Sequence, residues 1–198
     1  MELLRKTVSI IILTLLLTST LKLAFNIQPV KSTWTGTVYI RADGSVDPPT
    51  APISSVDNVT YTFTSDIYDS IVVERSNIII DGAGYRLQGL GWGIGVLLYG
   101  INNVTIQNTN IKGFNNGVCL NRSSYINVSG NNITYNSDGV EVYDSSNNSI
   151  IGNYIRANDD YAIFICKSNN NTISGNIIIS NDHGILLSRS CKNNCIYR

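Results

Sequence analysis

The chain has 198 residues, an ordinary apolar fraction of 43%, only 14% charged residues and a formal charge of zero. That length has room for one ordinary domain plus a targeting segment. Without residues 1–31, ten bases face thirteen acids, a formal −3. No basic patch emerges that would neutralise a row of phosphates, so nucleic acid is not expected as a partner.

Residues 1–31 open with Arg5 and Lys6 and run Val8-Ser-Ile-Ile-Ile-Leu-Thr-Leu-Leu-Leu before Lys22 interrupts. A basic start and a short apolar stretch read as a secretory signal. The run is shorter than the ~20 residues a spanning helix needs. An uncleaved anchor over residues 7–25 stays open, because no small-x-small cleavage site stands out near Ala24. The protein is expected to be secreted or at the cell surface, touching membrane only through this segment.

In residues 32–76, Thr37-Val-Tyr-Ile, Val59-Thr-Tyr-Thr-Phe and Ile71-Val-Val have the spelling of short strands. Asp43-Gly, Asp47-Pro-Pro and Ala51-Pro mark turns between them. The segment lacks the regular spacing found downstream, as terminal units of repeat proteins do, and is expected to be an N-terminal cap with an irregular first coil.

From Asn77 to Arg198 the chain repeats. Asn116-Gly-Val-Cys-Leu, Asp138-Gly-Val-Glu-Val, Tyr161-Ala-Ile-Phe-Ile and His183-Gly-Ile-Leu-Leu are one element written four times, with Gly117, Gly139, Ala162 and Gly184 spaced 22, 23 and 22 apart. Two further series, Ile106/Val128/Ile150/Ile173/Ile196 and Ile111/Ile133/Ile155/Ile178, keep the same step. A fixed period in this range means a solenoid. Apolar residues alternate at period two in runs too short for helices, so each coil supplies three short strands, and coils stacked at about 4.8 Å pair in parallel. Gly89, Gly91, Gly93 and Gly95 suggest a phosphate loop, but no helix follows to bind the phosphates, so they are read as a bend between coils. Asn148/Asn171/Asn194 and Asn136/Asn158/Asn181 form columns, in which stacked amides can donate to one another and the left-handed turn backbone is tolerated. The last unit, Asn193-Asn-Cys-Ile-Tyr-Arg, starts a coil and stops within it, which leads to the expectation of a longer solenoid cut at its C-terminus or of end-to-end self-association.

These features, carried by Asn147-Asn-Ser-Ile-Ile-Gly-Asn-Tyr-Ile, Asn170-Asn-Thr-Ile-Ser-Gly-Asn-Ile-Ile and the Gly-Val/Gly-Ile strands after them, resemble the right-handed parallel β-helix repeat proteins. That group includes carbohydrate-binding proteins, sugar hydrolases and NosD-like proteins. The resemblance implies an all-β fold, a right-handed parallel β-helix of ~22-residue coils. It leaves the activity open, because folds host many functions.

The sharpest chemical candidates are Asp138, Asp159, Asp160 and the lone His183, on three successive coils. A pair of carboxylates, one protonated and one activating water, is what inverting glycoside hydrolysis needs. The arrangement looks like that of the polygalacturonases, and the likeness implies Asp160 as general acid, Asp138 and Asp159 as water activators and His183 as support. Ser137 and Asp182 depart from that pattern, and the family's Arg-x-Lys would fall beyond Arg198. Turns before a repeat glycine favour Asp and Asn whatever the function.

A binding role needs less. The outward column Leu97, Cys119, Glu141, Phe164 and Leu186 is more apolar than a solvated face should be, unless a loop or the cap covers it. Tyr135, Tyr143, Tyr161 and Trp92 flank it, so Tyr135, Tyr143, Tyr161, Glu141 and Phe164 are candidate contacts for a polysaccharide or surface glycan. No cofactor or metal is expected: copper wants clustered His, Met or Cys, and the chain has one His and only the initiator Met. Cys191-x3-Cys195 is too sparse for zinc; a local disulfide and free cysteines remain equal readings. Seven Asn-x-Ser/Thr sequons begin at Asn58, Asn103, Asn121, Asn127, Asn132, Asn147 and Asn170, several of them expected to be buried in the ladders. The expectation is an exported carbohydrate-binding or scaffold module, with a polysaccharide hydrolase or lyase and a purely structural envelope protein as alternatives.

Overall fold

In each coil the chain turns through three sides, and a computed structural model of the protein describes them for residues 35–198. The secretory or anchor segment expected in residues 1–31 lies outside the described residues. Taking one coil as an example, Val104–Gln107 lies on the first side, Asn110–Lys112 on the second and Asn116–Asn121 on the third. Stacked copies form sheet I, eight-stranded and containing Val104–Gln107, five-stranded sheet II and eight-stranded sheet III. Along the repeats every pairing is parallel and in the register the periodicity predicts: Ile106, Val128, Ile150, Ile173 and Ile196 align on sheet I, and Leu87, Ile111, Ile133, Ile155 and Ile178 on sheet II. The architecture is a right-handed parallel β-helix. Its core is these aliphatic columns; Ile106, Ile111, Ile133, Ile150 and Ile155 are fully buried.

The strands expected upstream of Asn77 are present as Val38–Ile40, Thr60–Phe63 and Ile71–Val73. Thr60–Phe63 already pairs in parallel with Ile78–Asp81, Ile67 bridges Leu87, and Ile71–Val73 pairs with Ile94–Tyr99. At this end both eight-stranded sheets finish on a two-residue antiparallel strand, Val46–Asp47 and Ile53–Ser54. Tyr61 fills the space beside them, fully buried, its hydroxyl donating to the Gly44 carbonyl at 2.7 Å. The glycines after Gln88 form the expected bend, leading into a strand and not a helix.

The glycines near the start of the inner sheet III strands, Gly95, Gly117 and Gly139, are explained by contact, whereas Gly184 on the last strand meets no neighbour. A Cβ on Gly139 would stand 2.5 Å from the Ala162 carbonyl oxygen, and one on Gly117 would stand 2.7 Å from that of Gly139. No left-handed backbone is involved there, so these glycines answer to coil spacing alone.

The asparagine columns are ladders. Asn171 Nδ2 donates to Asn194 Oδ1 at 3.0 Å and Asn158 Nδ2 to Asn181 Oδ1 at 2.8 Å. More regularly still, each side chain grips the backbone of the previous coil: Asn148 Oδ1 accepts from the Ile126 N–H at 2.9 Å while its Nδ2 donates to the Ser123 carbonyl at 3.2 Å. Two ladders escaped the sequence reading. Asn131, Asn153 and Asn176 stack at the turn between sheets I and II, and Ser123, Ser145 and Ser168 stack at the turn after sheet III. The left-handed residue is the one before each ladder position, not the ladder residue itself: Asn147 at φ 59° precedes Asn148, and Tyr135 at φ 57° precedes Asn136. The sequon asparagines consequently stand outside the ladders, exposed or half-buried, contrary to expectation. The four cysteines are free; Cys191 continues the serine ladder, its thiol donating to the Ser188 carbonyl at 3.1 Å, so the local disulfide is not formed.

Candidate functional site

In each sheet III strand two consecutive buried residues, such as Gly139 and Val140, separate two less buried positions, such as Asp138 and Glu141, so the sheet presents fixed outward rows. One begins each strand with Asn116, Asp138, Tyr161 and His183; the next carries Leu97, Cys119, Glu141, Phe164 and Leu186 in register. The coil step, not local sequence, brings these groups together.

At the C-terminal part of this face the His183 ring stacks on Tyr161, centroids 4.9 Å apart at 29°, and Tyr161 lies against Phe164 at 5.4 Å. His183 Nδ1 is 3.2 Å from Asp160 Oδ1 and 3.6 Å from Asp182 Oδ2. The His183 side chain is 57% exposed and that of Asp160 46%, so the pair is open to ligand. Asp138 sits one coil back, its Oδ1 accepting the Tyr161 N–H at 3.1 Å. Burial pushes the Asp138 carboxyl above the ordinary range; the Tyr161 N–H opposes that and the negative charge of Asp160 adds to it. Asp138, Asp160, Tyr161, Phe164 and His183 therefore form one cluster. Asp159 stands apart: it lines a groove of about 530 Å³ with Tyr135 and Asp182 that neither Asp138 nor Asp160 enters.

Two other binding candidates are already engaged. Glu141 accepts from Asn116 Nδ2 at 2.8 Å and from the Cys119 thiol at 3.5 Å. Burial, with the Glu141 charge beside it, pushes the Cys119 thiol up to about 12. The Tyr143 hydroxyl oxygen accepts from Lys167 Nζ at 3.0 Å, and the same ammonium lies 5.2 Å from its ring centre. Within the outward column Cys119 is only 5% exposed, packed beside Glu141, whereas Leu186 is 36% exposed. Among the described residues no group of three or more His, Cys, Asp or Glu is placed to hold a metal ion.

The stacked coils and outward face define the chain as a parallel β-helix repeat protein. It belongs to the NosD family: the model described as "Periplasmic copper-binding protein (NosD)" matches residues 33–198. Among solved structures, the chain is similar to a double mutant of the periplasmic alginate epimerase AlgG at 17% identity and a TM-score of 0.49, over 67% of this chain and 49% of that one. The chain thus spans about half the length of that protein. No curated protein sequence matches significantly.

Proposed function

We propose that the protein is an exported β-helix that binds carbohydrate on the outward face of sheet III, at Tyr161, Phe164 and His183 with the carboxylates of Asp138 and Asp160. The observation that carries this reading is the Tyr161–His183 stack, half-buried at Tyr161 and exposed at His183, flanked by acids. A pyranose offers a C–H face and a rim of hydroxyls; aromatic rings take the first and carboxylates accept from the second. Tyr135, 63% exposed, lines the neighbouring groove with Asp159 and stands outside this cluster. Export is supported by the basic and apolar opening of residues 1–31 and by the word "periplasmic" in the family description.

The copper named in that description prefers clustered imidazole, thiolate and thioether donors. The single imidazole here has carboxylates for neighbours, and the Cys119 thiol is buried against Glu141. The described residues do not fit a copper centre.

A second reading, polysaccharide hydrolysis or lysis, is favoured by Asp138, whose carboxyl is held above the ordinary range by burial, with the Asp160 charge adding to it, as a general acid requires. The separation of Asp159 from the pair weighs against the three-carboxylate version. Glycan-array screening followed by titration tests the main proposal: Tyr161→Ala is expected to weaken binding at least about tenfold with the fold intact. Unchanged affinity in that variant removes the proposal. Cleavage of an array polysaccharide by wild type and its loss in Asp160→Asn would establish the second reading.

A further inference from the structure

We propose that the outward face of sheet II is a separate binding site for a linear, carboxylate-bearing glycan, a polyuronate, lying along the solenoid axis. The proposal deepens the carbohydrate-binding reading, on which it rests, by adding a face and naming the charge class of its ligand.

Sheet II carries two outward rows. One runs Arg86, Asn110, Asn132 and Tyr154, a residue per coil; the other runs Gln88, Lys112, Thr134 and Arg156. Elsewhere on the described coils the basic side chains are spoken for: Arg41 pairs with Asp47 and Glu74, Arg75 donates to the Ala42 carbonyl, Arg122 pairs with Asp144 and Lys167 donates to Tyr143. Arg189, Lys192 and Arg198 lie beyond the last sheet III strand. Arg86, Lys112 and Arg156 have no ion pair or side-chain hydrogen bond among the described residues, and all three point from one face. Three acids border the face: Asp66, bonded through Oδ1 to the Arg86 N–H at 3.0 Å, and Asp159 and Asp182, which line the adjoining groove beside Tyr135 and Ala157. Asp81, at the far side, already accepts from Gln107, Asn108 and the Ala83 N–H. The two outward rows themselves carry three cations and no acid, on a body whose formal charge beyond residue 31 is negative, so an anion that lies along the rows meets its counter-charges there.

The spacing selects the anion. Lys112 and Arg156 share a row two coils apart, with Thr134 between them, which is roughly 10 Å at the strand spacing of a sheet. A pyranose of an extended glycan is comparable in length to one coil step. In a chain of two-fold symmetry alternate carboxylates point the same way, so same-side charges recur every second coil. Arg86, one coil before Lys112 in the other row, meets the intervening side. Hydroxyls find partners too. A groove of about 310 Å³ runs between Arg86, Lys112, Thr134 and Tyr135, and it shares the walls Gly84, Asn110 and Asn132 with a second groove of about 450 Å³. Asn132 Nδ2 donates to Asn110 Oδ1 at 3.0 Å, leaving the Asn132 oxygen open to a sugar hydroxyl.

The test is titration of the full chain with an oligouronate long enough to span Arg86 to Arg156, and with the same oligomer methyl-esterified to remove its charge. Wild type is expected to bind the acid form in a salt-sensitive manner and the ester weakly. Lys112→Gln/Arg156→Gln is expected to lose about tenfold in affinity. Both side chains are outward on the surface, and circular dichroism checks the fold. Tyr161→Ala is expected to leave oligouronate binding unchanged. Equal binding of acid and ester, full affinity in the double variant, or tighter binding of a single-stranded oligonucleotide each overturns the proposal. Oligouronate binding lost in Tyr161→Ala but kept in the double variant overturns it while leaving the sheet III site standing. Loss of neutral-glycan binding alone in Tyr161→Ala, with oligouronate binding dependent on Lys112 and Arg156, supports both.

Discussion

At the scale of single residues, environment separates groups of the same type. Cys119 and Cys166 are buried, and the Cys119 thiol is pushed up to about 12, so at pH 8 it is neither ionised nor reachable. Cys195 is exposed. Alkylation of the native protein followed by peptide mapping is expected to label Cys195 and to spare Cys119 until denaturant is added; early labelling of Cys119 would contradict the packing described. Asp138 carries the opposite kind of information. Its folded carboxyl holds its proton more tightly than in the unfolded chain, so its contribution to stability is present at pH below the ordinary aspartate value. That contribution is lost as pH rises through the raised folded value. Asp138→Asn, which removes that titration, is expected to make the protein no less stable at pH 7 than wild type and to flatten the melting profile across the acid range, as thermal melts at several pH values would show.

At the scale of the element, the unit that matters is the ladder. Asn153 accepts the Asn131 N–H and side-chain amide at 3.0 and 3.1 Å and donates to the Val128 carbonyl at 2.8 Å. Replacing it by alanine leaves several buried backbone groups without partners, each costing about 1–3 kcal/mol. Asn153→Ala is therefore expected to cost at least ~2 kcal/mol in denaturant unfolding, more than Asn132→Ala on the surface. Gly139→Ala forces a methyl against the Ala162 carbonyl and is expected to cost about 1–3 kcal/mol. What was legible in the sequence follows from the same element. The columns at Ile106, Ile111 and Val118 were readable because a stacked coil repeats its spelling at the coil step. The Ser123 and Asn131 ladders are spelled as plainly, at the same step, but serine and asparagine are also ordinary turn residues, so their recurrence alone does not separate a ladder from a turn.

At the scale of the whole molecule, the cluster around Tyr161 and the cations of sheet II are products of stacking. Asp138, Asp160 and His183 were legible as a group because each precedes a repeat glycine or its alanine equivalent. Asp159 belonged to the same spelling, yet neighbouring residues on a strand-entry turn point to different sides, and it lines the other groove. The engagement of Glu141 and Tyr143 was not legible, since it depends on Asn116, Cys119 and Lys167 reaching across coils. Arg86, Lys112 and Arg156 lie 26 and 44 residues apart in the chain and form no charge run; only the register of sheet II makes them neighbours. In both places the solenoid converts sequence distance into an axial step of about 4.8 Å, and a long ligand is the kind of partner that reads such a step.

The central claim is that the Tyr161–His183 stack on sheet III is a carbohydrate surface. Its most direct measurement is an NMR titration of the protein with a glycan it binds, following the ring signals of Tyr161 and His183. The account predicts shifts at both rings that saturate together with the shifts of Phe164. Saturable binding that leaves those rings unshifted would contradict it.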